Sequence, residues 1–102
     1  MNSVIVSYKS NQKYIVQQKA IIESINNVFS EINHSKLIKT PKLIFLNNNT
    51  DIEICVDIKI KLNKVSDIYE AIKKVATSIE EAIKTLIDKK PKNVQICLID
   101  II

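Results

Sequence analysis

The 102-residue chain contains no glycine, no tryptophan and no arginine, and only two prolines, two cysteines and one histidine. Each shortage excludes something. Without glycine, no backbone position takes a positive φ angle at low steric cost, so that conformation falls to asparagine, the next most tolerant residue. The phosphate-cradling P-loop, the dinucleotide-binding fingerprint and the Gly-x-x-Gly clamp on RNA backbones are excluded in their usual forms. Cys55 and Cys97 stand far apart and make no metal-ligand spacing. No apolar run approaches the ~18 residues of a membrane-spanning helix, and Met1–Ser7 lacks the charged start and long apolar core of a signal peptide. The expectation is a cytoplasmic protein with reduced thiols and no cofactor.

What is present is mostly isoleucine, lysine and asparagine, a bias that matches AT-rich codons, so the counts themselves say little about function. Hydrophobic residues make up 46% and charged residues 25% of the chain, ordinary values for a globular protein. The length suits a single domain over 1–102 that buries roughly two-thirds of its unfolded surface. All 15 basic residues are lysine and the net charge is +4. That balance tolerates a polyanion or an anionic membrane without demanding either.

The organising stretch is Asp51–Leu62. Ile52, Ile54, Val56, Ile58, Ile60 and Leu62 alternate without error against Asp51, Glu53, Cys55, Asp57, Lys59 and Lys61. Successive strand side chains point to opposite faces, so this spacing predicts a long strand with one buried and one wet face. Before it, Val4–Tyr8 reads as a short edge strand ended by the polar Lys9–Lys13. Ile15 to Asn33 has helical spacing, with Ile21, Ile25, Val28 and Ile32 in a stripe and Asn33 and His34 closing the helix. Ser35–Thr40 reads as a polar connection ahead of Pro41, and Lys42–Leu46 as a strand. Asn47–Thr50 is then the turn of a hairpin into the organising strand.

Asn63–Ser66 links to a second helix, capped by Ser66, with Asp67 and Glu70 at its positive end. Its stripe runs Val65, Ile68, Ile72, Val75, Ile79, Ile83 and Leu86. On the outer surface Glu70 is spaced to pair with Lys73 and Lys74, and Glu80 and Glu81 with Lys84. Pro91 stops the helix, and Asn93–Ile102 forms a final strand. The predicted order is β-α-β-β-α-β, an α+β domain in two layers with both helices on one face of a mixed sheet. The last crossover sets the organising strand and the final strand parallel.

Few residues carry chemistry. His34 sits in a polar loop with no evident nucleophile or orienting carboxylate, so it reads as a surface or capping residue. Asp51, Glu53 and Asp57 share their face with Lys59 and Lys61, which describes a solvated face rather than an acid–base pair in contrasting environments. Cys55 and Cys97 point to the same polar face as neighbours on parallel strands, as structural thiols. Lys89-Lys90-Pro91-Lys92 is a solvated helix end that could also approach anionic lipid, at about 1 kcal/mol per lysine. In outline the fold also suits a small RNA-binding or ribosome-associated domain. The open strand face, however, has no aromatic on which a base could stack.

From Asp51 onward the chain resembles the alkaline shock protein family of bacterial cell envelope stress response proteins. The matching parts are the alternating strand Asp51–Leu62 and the helix run Val65, Ile68, Ala71, Ile72, Val75, Ile79 and Ile83. The ending Asn93-Val94-Gln95-Ile96-Cys97-Leu98-Ile99-Asp100 is similar to that family's terminal Val-x-Val-x-Val segment. Asn33, Asn63 and Lys90 stand near points where family members carry glycine, as in a divergent member. The resemblance implies a non-enzymatic cytoplasmic protein, without cofactor or metal, that self-associates as a homo-oligomer. It would reach the membrane only indirectly, through a membrane-anchored protein partner, in envelope homeostasis. Combined with the polar strand face, it gives a candidate interaction face of Glu53, Cys55, Asp57, Lys59, Lys61, Gln95 and Cys97, for protein rather than nucleic acid.

Overall fold

A computed structural model describes residues 2–9 and 12–102; Met1, and Ser10 and Asn11 within the polar Lys9–Lys13 segment, lie outside them. The elements in chain order are β1 (Ser3–Lys9), β2 (Gln12–Gln17), α1 (Gln18–Glu31), β3 (Ser35–Leu37), β4 (Lys42–Leu46), β5 (Asp51–Ile60), α2 (Ile68–Ile87) and β6 (Asn93–Ile101). The class is α+β, with two helices and a mixed sheet, and the expected order gains two strands, β2 and β3.

β5 is the middle row of the main sheet. It pairs parallel with β6 along one edge, while β4 and β3 lie end to end, antiparallel, along the other. Its alternation is complete: Ile52, Ile54, Val56, Ile58 and Ile60 are buried and the residues between them half-exposed. Over that inner face lie Ile21, Ile25 and Val28 of α1 and Ala71, Val75, Ile79, Ile83 and Ile87 of α2. Burying each valine or isoleucine among them contributes on the order of 1.5–3 kcal/mol, which holds both helices on one side of the sheet. β5 stops at Ile60, not Leu62. Leu62 opens a 3-10 turn, Leu62–Lys64, and is 58% exposed rather than on the inner face.

The first helix begins later than its apolar spacing suggests. Ile15 is 51% exposed on β2, and only Val16 of that strand is buried. β1 and β2 form a separate two-stranded antiparallel ladder. Its buried Val4, Val6 and Val16 join the core, and the Ile5 amide donates to Asn49 O at 2.7 Å. At the other end, α1 stops at Glu31, followed by Ile32 in extended conformation, so Asn33 and His34 do not supply a glycine-like closure. The segment after it is not a plain polar connection. Ser35 is buried and pairs with Ile60, and the Ile38 amide donates to Asp57 O at 2.9 Å, carrying the chain along β5 to Pro41.

Turns fall where asparagine replaces the missing glycine. Asn47, Asn48 and Asn49 have φ of 52°, 55° and 66°, and Thr50 closes the turn through its amide to Leu46 O at 3.1 Å. The cap of α2 is Asp67 rather than Ser66: its carboxylate accepts from the Glu70 amide at 3.3 Å. α2 ends on Asp88, left-handed at φ 64°. The glutamate–lysine pairs expected along α2 do not close, since the ion pairs among the described residues are Lys39–Asp57 and Lys89–Asp51. Lys73 lies instead over the Tyr69 ring, 5.8 Å from its centroid.

Candidate functional surface

The helices leave the second face of the main sheet uncovered. Its side chains follow from register, because directly opposed residues share a face. β5 contributes Asp51, Glu53, Cys55, Asp57 and Lys59. β4 sets Lys42 beside Cys55, Ile44 beside Glu53 and Leu46 beside Asp51. β3 sets Lys36 beside Lys59. β6 adds Asn93, Gln95 and Cys97 opposite Glu53, Cys55 and Asp57. Of the predicted face residues, Glu53, Cys55, Asp57, Lys59, Gln95 and Cys97 therefore lie together on one surface. Lys61 stands just beyond the end of β5, its amide bonded to His34 O at 2.9 Å. Lys36, Lys42 and Ile44 belong to the same face. Lys42 and Ile44 could have been read from the hairpin pairing, whereas β3, and with it Lys36, could not.

Charge is mixed along this face, with Asp51 and Glu53 toward one end and Lys36 and Lys59, the latter also in register with Asp100 of β6, toward the other. Asp51 accepts from Asn47 Nδ2 at 2.8 Å and meets Lys89 Nζ at 3.1 Å. The Asn47 hydrogen bond first, and then Lys89, hold its carboxyl below the usual aspartate range. Asp57 meets Lys39 at 3.4 Å. Both ion pairs involve side chains open to solvent, where each is worth little. At the other end Lys36 and Lys59 are directly opposed, a like-charge pair that destabilises the strand pairing by a few tenths of a kcal/mol or more.

The thiols are placed on this face as expected, but offset. Cys55 is in register with Gln95 and donates to its Oε1 at 3.2 Å, while Cys97 is in register with Asp57. Both are free thiols, Cys97 exposed and Cys55 half-buried. No aromatic stands on the open face among the described residues: Phe45 is turned toward the core opposite Ile52, and the exposed Tyr14 and Tyr69 lie on β2 and α2.

His34 has a partner that the sequence did not reveal. Its Nδ1 and Ser35 Oγ are hydrogen-bonded at 2.7 Å. Burial, and then the positive charge of Lys74, push the imidazole below its ordinary value of 6.5. A shallow groove of about 200 Å³ beside it is lined by Asp67, Glu70 and Lys74. Ser35 is 2% exposed, so its hydroxyl is closed to a substrate and serves to lock the start of β3. A larger groove of about 430 Å³ runs between α1 and α2, past Val28, Ile32 and Ala82, with Glu31, Lys74 and Glu81 on its rim. No group of three or more histidine, cysteine, aspartate or glutamate side chains that could hold a metal ion occurs among the described residues. No helix of the described residues is long and apolar enough to cross a membrane. No protein-family model matches the chain, nor does any curated protein or solved structure.

Proposed function

We propose that this chain is a non-enzymatic interaction module of the alkaline shock protein type. It acts in envelope homeostasis on the cytoplasmic side of the membrane. Its open sheet face holds a membrane-anchored protein partner, and it associates with further copies of itself. The observation that carries the reading is the uncovered sheet face, where Lys36 and Lys59 are directly opposed at one end and the acids of Asp51 and Glu53 stand at the other. This like-charge pair, only partly offset by Asp100 in register with Lys59 on β6, leaves positive potential that an acidic partner surface can neutralise. The absence of stacking aromatics on that face favours protein over single-stranded RNA.

The test is the Lys59→Glu, Lys61→Glu double variant, expressed in place of the native chain. Neither residue is buried and Lys61 lies beyond the strand end, so circular dichroism should report an unchanged fold. The wild-type chain should be recovered with the membrane fraction and be released by digestion of membrane proteins. The variant should shift to the soluble fraction. Equal recovery of both chains would sink the docking face, and salt-dependent binding of single-stranded RNA by the wild type would replace it with nucleic-acid recognition.

A further inference from the structure

The two edges of the main sheet differ. On the β3–β4 side the row is broken at Ile38–Pro41 and carries Lys36, Lys39 and Lys42, the devices by which natural sheets discourage edge pairing. β6 is nine residues long, hydrogen-bonded only to β5 among the described residues, and contains neither lysine nor proline. Its single irregularity is an extra residue, Ile99, between the rungs Ile58–Leu98 and Lys59–Asp100. That bulge leaves Val94–Leu98 as a regular free edge.

The direction of its backbone groups follows from the bonds of β5. Asp57 O and Lys61 N serve the β3 side, through Ile38 N and His34 O, whereas Ile60 O accepts from Ile102 N. Even-numbered residues of β5 thus address β6. In the parallel register this turns the backbone of Gln95 and Cys97 toward β5 and that of Val94, Ile96 and Leu98 outward. Three N–H and three C=O groups therefore point away from the sheet.

We infer that β6 pairs antiparallel with β6 of a second copy of this chain, about a two-fold axis at Ile96, joining the two sheets into one. The pairing rests on the reading of the domain as an interaction module, but uses the edge rather than the open face. Two observations select this occupant and register. The outward groups of Val94, Ile96 and Leu98 meet those of Leu98, Ile96 and Val94 in the second copy. Their half-buried side chains meet on the helix side and extend the core across the junction.

The same register sets Gln95 opposite the second copy's Cys97 in a pair without mutual backbone bonds, with Cα atoms about 4.5 Å apart. That separation lies within the span of a disulfide. Sedimentation of the full chain should give the mass of two copies. Gln95→Cys in a Cys55→Ser background, treated with oxidised glutathione, should give a covalent dimer that Cys97→Ser abolishes. Ile96→Pro removes an outward N–H, which an edge strand tolerates, and should leave a folded monomer with its membrane recovery intact. A wild type that stays monomeric at about 100 µM overturns the pairing, since a tighter complex would be populated there. So does a dimer in which Gln95→Cys fails to cross-link. Neither result touches the Lys59 and Lys61 experiment, so failure of the edge and failure of the face are told apart.

Discussion

Lys89 Nζ lies 3.1 Å from Asp51 Oδ1, joining the segment after α2 to the first residue of β5. Asn47 Nδ2, at 2.8 Å from Oδ2, completes the arrangement from the hairpin turn. Together they stabilise the carboxylate and place its folded-state pKa below the unfolded 3.8. The unfolded chain therefore binds a proton more readily, and stability falls as pH drops through and below that value. Above it the contribution is fully present. Asp51→Asn should lower stability modestly in the neutral region and converge with the wild type at low pH, so that the acid limb is flatter, as urea melts from pH 2 to 7 would show. An acid limb as steep as in the wild type would refute the assignment.

Ile58 is fully buried at the middle of the inner face, paired with Leu37 on one side and Leu98 on the other. Ile58→Ala should cost about 2–5 kcal/mol, the lost transfer free energy together with the cavity left between sheet and helices. Thermal or urea unfolding measures it. The outward-facing Asp57→Ala should change stability by well under half as much, since its ion pair with Lys39 is largely solvated. Equal losses would mean that the two faces are not buried as described.

Asp88 ends α2 in the left-handed region at φ 64°. There it bears both a Cβ in crowded backbone and a negative charge at the negative end of a helix dipole. Asp88→Gly removes both and should stabilise the domain by about 1 kcal/mol, visible as a raised urea midpoint with unchanged slope. A neutral or lower midpoint would refute this account of the helix end.

The parts readable from the sequence were those in which one periodicity met one environment. β5 alternates because one face is buried and the other wet, and α2 carries an apolar stripe over five turns, so both were found almost to the residue. The misplaced parts broke that link. Ile15 is apolar but exposed, which drew the first helix back into β2. Ser35 is polar but buried, held by its bond to His34, which hid β3 as a polar connection. Strand ends also depend on tertiary pairing: Leu62 continues the alternation of β5 yet belongs to the next turn. The candidate face followed from parity along β5 and β6. The Lys36–Lys59 opposition and the Cys55–Gln95 bond required the register of strands far apart in sequence.

Pro41 and the shortness of β3 and β4 fix how many copies can be joined. A sheet with two long open edges adds strands at both and grows into fibres. Here one side offers runs of three and five residues separated by a proline, and the other a strand of nine. Such a sheet has a valence of one: the proposed pairing through β6 would consume the usable edge of each copy, and assembly by this route would stop at two.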